Sequence, residues 1–191
     1  MLEKDRIKEA ETNVRAYLNE GLIKKESPNP DALRVLLRNA KESIDSADKL
    51  SSDRISDLWV IVCSYYSMFY IANAVLRKLG YKVGEKIAHK VTADALIVYA
   101  RGKLKETLIE EYEDSKEEAL NLAGIKADTL IESFDREKTK RGIIQYRTDD
   151  IDKQAKAKTS LQRAKQFLFE MNALLDELDK KKWFWIFIQK A

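Results

Sequence analysis

The chain reads as an all-α protein, an up-and-down helical bundle with an extra N-terminal helix and an apolar C-terminal tail. Three observations predict this class. Only two prolines and six glycines interrupt 191 residues, charged residues make up 35% of the chain, and apolar residues recur at spacings of three and four. A length of 191 residues is that of one domain able to bury a core without disulfides or metals.

The first helix is expected from about Glu3 to Lys25, with Ile7, Ala10, Val14, Tyr17, Leu18 and Leu22 on one stripe. Ser27-Pro28-Asn29-Pro30 then makes a turn in which Asn29 caps the next helix and Pro30 takes its first position. The second helix follows through Leu33, Leu36, Leu37, Ala40, Ile44, Ala47 and Leu50, ending before Ser51-Ser52-Asp53. Ser52 or Asp53 is expected to cap the third.

That third helix has no charged residue from Leu58 to Leu76, nineteen residues, which is enough to span a bilayer. Its tyrosines Tyr65, Tyr66 and Tyr70 stand mid-segment with Ser64, Ser67 and Asn73, whereas a spanning helix holds tyrosines at its ends. The segment therefore reads as the central helix of a bundle, and no stable membrane insertion is expected. Gly80 is placed to end it in the left-handed conformation, with Tyr81-Lys82-Val83-Gly84 as a loop.

A further helix, about Ile87 to Tyr99, carries the only histidine, His89. The next is broken near Gly124 and bears an acidic run on its outer face, from Glu106 to Glu118. In the last long helix Leu161, Ala164, Leu168, Met171, Leu175 and Leu178 form a heptad seam, suited to a neighbour in the bundle or to a second copy. After three lysines comes Trp183-Phe184-Trp185-Ile186-Phe187-Ile188, which needs a cover. A groove of its own domain, a partner subunit and a membrane surface are the alternatives. The expected organisation is an N-terminal helix over 1–26, a bundle over 31–178 and the aromatic tail over 179–191.

The composition excludes several classes of function. No Gly-rich phosphate loop is present, and one histidine with one cysteine cannot make a His/Cys zinc site. No metal or cofactor is expected. Cys63 lies in an apolar run and reads as a small core residue of a protein from a reducing cytoplasm, and the charged start lacks the pattern of a secretory leader. The net charge of +3 is small but uneven: residues 136–165 carry an excess of six positive charges, a stretch able to attract phosphate.

Within that stretch stands Arg141-Gly142-Ile143-Ile144-Gln145-Tyr146. An arginine can fork onto a phosphate, and a phenol nearby can contact the same group. A salt-bridging Arg with a core Tyr has the same sequence. Lys140, Arg147 and Lys153 surround the pair.

The order of features resembles the HEPN family (higher eukaryotes and prokaryotes nucleotide-binding domain), in its small stand-alone prokaryotic members. The resemblance rests on the amphipathic helix Leu37 to Leu50, the tyrosine-rich helix from Tyr65 to Tyr81, the pair His89-Lys90, and the Arg-x-x-x-x-Tyr motif from Arg141 to Tyr146. It covers roughly Asp31 to Leu178. It implies a helical homodimer whose two Arg motifs meet in a cleft, RNA or nucleotide binding, metal-independent endoribonuclease chemistry in a toxin and antitoxin setting, and a minimal nucleotidyltransferase as partner.

Two departures stand out. Tyr146 occupies the place of a histidine, and Gly142 the place of a polar residue. A phenol titrating near 10 is a poor base at neutral pH beside an imidazole near 6.5, so cleavage by Arg141 and Tyr146 is expected to be weak or absent. Arg141, Arg147, Lys140 and Lys153 are then the expected binding residues. Tyr65, Tyr66, His89, Trp183 and Trp185 are expected to be structural or interfacial, His89 hydrogen-bonded to a neighbour. The alternative from another class is a non-enzymatic module that docks a nucleotidyltransferase or another protein.

Overall fold

A computed structural model describes residues 3–122 and 150–189. The chain is an all-α helical bundle. Its elements are α1 (Lys4–Glu20), β1 (Ile23–Lys25), α2 (Pro30–Ser52), α3 (Asp57–Lys78), β2 (Tyr81–Val83), α4 (Ala88–Tyr99), a 3-10 turn (Arg101–Lys103), α5 (Glu106–Leu122) and α6 (Asp150–Gln189).

Helix α3 is the core. It is long and apolar enough to cross a membrane by composition alone, but α2, α4, α5 and α6 all pack against it. Val60, Ile61, Tyr65, Met68, Ile71, Val75 and Leu76 are buried on several of its faces. Burial of each such large side chain contributes roughly 1.5–3 kcal/mol. The α6 seam meets this core: Leu161, Ala164, Met171 and Leu175 are buried, joined by Phe167 and Leu174. Lys78 pairs with Asp179 at one end, and Asp57 shares a pocket with Gln154 and Lys158 at the other, so α6 runs parallel to α3.

Several expectations need correction. The first helix stops at Glu20 rather than Lys25, because Gly21 turns left-handed at φ 72° and the Leu22 N–H closes onto the Tyr17 carbonyl at 2.9 Å. The residues beyond it form β1, which pairs antiparallel with β2, so Tyr81 to Val83 is a strand and not a loop. Helix α3 is capped by Ser56, whose Oγ accepts from the Trp59 N–H at 3.4 Å, rather than by Ser52 or Asp53. Helix α2 runs through Ser52, and the chain then reverses at Arg54, a non-glycine at φ 53°. Asn29 does cap α2, accepting from the Asp31 and Ala32 N–H groups at 2.9 and 3.1 Å. Gly80 is left-handed at φ 90° as expected. The segment after residue 179 continues α6 as helix to Gln189.

The acidic run on α5 is not wholly an outer face. Glu113 accepts from Arg6 at 2.6 and 3.0 Å, and Arg6 also donates to the buried Asp94 of α4 at 2.6 Å. Asn13 and Tyr17 donate to the other Asp94 oxygen at 3.0 and 2.9 Å. Burial opposes the Arg6 charge, yet its bonds to Glu113 and Asp94 raise its pKa overall. Burial and then the adjacent Asp94 push the Tyr17 phenol up. This network holds α1 onto α4 and α5. Removing one member of a buried pair leaves the others uncompensated, at a cost of about 3–5 kcal/mol. Urea denaturation should accordingly show Asp94→Ala losing stability of that order, while exposed Lys8→Ala stays within about 0.5 kcal/mol of the parent. Equal stabilities would show that the network does not hold α1.

Candidate functional site

The tyrosine helix and the lone histidine come together. His89, in the first turn of α4, sits with Nδ1 2.7 Å from the Tyr65 hydroxyl. Tyr65 is fully buried, whereas His89, Tyr66, Phe69 and Tyr70 are half-buried. The Phe69 ring centroid lies 4.5 Å from that of His89, and Tyr66 meets His89 edge-on at 5.7 Å. Behind them, the Tyr112 ring lies 5.9 Å from Tyr65, and its buried hydroxyl has no partner of good geometry.

Electrostatics keep this cluster neutral. Burial, and then the nearby Tyr112, drive the Tyr65 phenol far above its ordinary value. Burial and the Lys116 charge hold His89 below 6.5. When Tyr65 donates to Nδ1, the imidazole proton resides on Nε2. The pair is packed among aromatic rings and lines neither of the two grooves described below. Its evident role is to lock α4 to α3.

A second constellation lies where α2 turns into α3 and α6 begins. Ser51, Arg54, Ile55, Ser56, Asp57, Gln154 and Lys158 line a pocket of about 200 Å³. Among the described residues Arg54 and Lys158 have no ion-pair partner, so two cations face one carboxylate, Asp57. Their freedom contrasts with neighbouring Lys49, paired to Asp53 at 2.8 Å, and Lys165, paired to Asp48 at 2.6 Å. Trp59, on the first turn of α3, is 55% exposed, and Ile55 is 63% exposed. An indole with an open face can stack on an unpaired base, and two free cations can hold phosphate.

Along α6 the pocket gives way to an open groove of about 810 Å³ whose walls include Glu111, Lys158, Gln162, Arg163, Gln166 and Phe169. Arg163 reaches Asp114 at 3.8 Å. Phe169 is 69% exposed. No group of three or more His, Cys, Asp or Glu side chains that could hold a metal occurs among the described residues.

Of the residues singled out in the sequence, Tyr65, Tyr66 and His89 are adjacent in space. Lys153 lies on the first turns of α6, next in sequence to Gln154 of the pocket. Lys140, Arg141, Tyr146 and Arg147 lie outside the described residues. Trp183 and Trp185 fall on the last turns of α6, with their side chains outside the description. Sequence reading missed Arg54 and Trp59. Their signal was faint, since a turn arginine and a tryptophan at the edge of a charge-free helix look like any turn and any core.

No protein-family model matches the chain, and no curated protein matches it.

The histidine supplies a pH test. Its folded pKa lies below its unfolded value, so the unfolded chain binds the proton more readily. The stability it contributes is full above about 6.5 and is lost as pH falls through the folded pKa. Denaturation midpoints should therefore decline from pH 7.5 to 5.5 in the parent and decline less in His89→Gln. Parallel decline in both would remove His89 as the source.

Proposed function

We propose that this is a HEPN-like RNA- or nucleotide-binding protein, a cytoplasmic homodimer working with a minimal nucleotidyltransferase in a toxin and antitoxin pair. Its ligand site comprises the Arg141–Tyr146 segment together with the pocket at the start of α6. The observation that carries this reading is the free pair Arg54 and Lys158 lining one pocket at the start of α3, whose first turn also carries the exposed Trp59. That pocket borders the first turns of α6, and Tyr146 precedes α6 by only four residues in the chain.

The chemistry follows from the residue types. Arg54, Lys158 and Arg141 neutralise phosphate, and Trp59 offers a face to one base. A base already unpaired can reach that face, which favours single-stranded RNA over a duplex. Tyr146 holds its proton at neutral pH, so it serves as a hydrogen-bond donor rather than a base. Binding then exceeds cleavage. His89 is spent on Tyr65 and stays a scaffold group.

The second reading, a non-enzymatic docking module, draws on the same exposed Ile55 and Trp59, since aromatic anchors near arginine mark protein interfaces. Salt separates the two. Binding of a short labelled oligoribonucleotide should weaken steeply with salt, and the slope should fall by about 0.7 for each cation removed in Arg54→Ala, Lys158→Ala or Arg141→Ala. Trp59→Ala should cost about 1–3 kcal/mol. An affinity that neither salt nor these substitutions change would reject the RNA reading and leave protein docking.

A further inference from the structure

Four helices cover α3, and three of the seams between them are closed: α2 packs on α6, α6 on α5 and α5 on α4. The fourth side, between α4 and α2, has no comparable packing, and α3 lies open along it. Trp59, Cys63, Tyr66, Tyr70, Asn73 and Arg77 recur at four and three on this side. With Phe69 they are the only residues from Trp59 to Arg77 that are not buried. Trp59 is the most open at 55%, and Arg77 closes the far end by pairing with Glu26 at 2.9 Å.

The side walls bring hydrogen-bonding groups rather than charges. Helix α2 turns Asp48 toward α6, where Lys165 binds it at 2.6 Å. The opposite margin of its apolar face therefore borders the open side of α3, and Asn39 and Ser43 stand on that margin, both half-buried. Neither has a hydrogen-bond partner among the described residues, nor do the Tyr66 and Tyr70 hydroxyls, and none of the four groups is sealed from solvent. His89 meets Tyr66 edge-on at 5.7 Å and the Tyr70 ring lies 6.0 Å from it, so the Tyr66 ring is braced on two sides. Free cations flank the stripe. Arg54 precedes the Trp59 end, and Lys86 and Lys90 lie on either side of His89 in the chain, against Glu85. None of these three cations has an ion-pair partner among the described residues.

These features discriminate between occupants. The apolar face of a protein helix laid here would cover four hydroxyl and amide groups without partners, each an uncompensated loss of hydration. An unpaired base brings a π-face for the rings and donors and acceptors for Asn39 and Ser43, and its phosphate meets the cations. Trp59 and Tyr66 stand on one line two turns apart, about 10 Å along the helix.

We propose that single-stranded RNA leaves the Arg54–Lys158 pocket along the open side of α3, with one base stacked on Trp59, another on Tyr66, and Asn39 on a base edge. The proposal rests on the RNA reading above and extends its site by two residues which that reading does not use, Tyr66 and Asn39.

The test measures binding of labelled oligouridylate and oligoadenylate to the full chain, with the helicity of each variant checked. Tyr66→Leu keeps apolar volume and removes the ring, so it should weaken both about 5- to 150-fold, the loss of one stacked base. Tyr66→Phe keeps the ring and should bind like the parent. Asn39→Ala should change the ratio of the two affinities, since an amide distinguishes adenine from uracil by their edges. Unchanged binding in Tyr66→Leu, with Trp59→Ala and Arg54→Ala still weakening it, overturns this proposal alone and leaves the open side to a protein. A parent that binds neither oligonucleotide overturns the RNA reading and this extension together. Should Tyr66→Leu lose helicity, Asn39→Ala decides, because alanine is the best helix former, and an unchanged ratio then overturns the proposal.

Discussion

A helix without a charged side chain for nineteen residues cannot rest one face in water, and most of this architecture answers that requirement. Helix α3 is covered by α2, α4, α5 and α6. The cover forces small residues at the crossings: Ser64, Ser67 and Ala72 are fully buried on α3 and Ala164 on α6. It also explains why α6 runs parallel to α3 along its length, joined to it at the end by Lys78 and Asp179. Asn73 enters this core with partners, donating to the Phe69 carbonyl at 2.8 Å and to Thr92 at 3.1 Å, whereas the buried hydroxyls of Ser64, Tyr112, Ser115 and Ser160 have none among the described residues.

Enclosure of α3 on its α4 side depends on a second constraint. Helix α4 is short and is fixed by polar links at both of its faces. His89 binds Tyr65 toward the core, and Asp94 gathers Arg6, Asn13 and Tyr17 toward α1. The β1–β2 ladder ties the end of α1 to the end of α3, and Tyr81 of β2 stacks on Tyr99 at 3.8 Å. Burial and the adjacent Tyr81 push the Tyr99 phenol up to about 12. These links leave α4 little freedom, which is why the histidine is better understood as a lock than as a base.

Much of the fold was legible in the sequence because the signals were local. The Asn29 cap, the left-handed Gly80, the charge-free helix and the seam of α6 each follow from a few neighbouring residues. What was hidden is non-local. Ile23–Lys25 and Tyr81–Val83 are three-residue strands nearly sixty positions apart, with lysines in both, and no alternation marks them. Arg6 sits in a run of charges and reads as solvated, yet its partners lie on α4 and α5. The site divides the same way. A hydrogen-bonded His89 was expected from the sequence, but Tyr65 as its partner comes from the packing of α4 on α3. The meeting of Arg54 with Lys158 depends on two elements a hundred residues apart.

The end of the bundle where α2 turns into α3 and α6 starts carries the free cations Arg54 and Lys158 and, on the first turn of α3, an exposed indole, with Arg141 and Tyr146 just upstream of α6 in the chain. The most direct test is photo-cross-linking of a short oligoribonucleotide carrying 4-thiouridine, followed by peptide mapping. Adducts on peptides bearing Trp59 or residues 141–158 are the predicted result. Adducts confined to other helices, or none at a concentration that saturates binding, would contradict it.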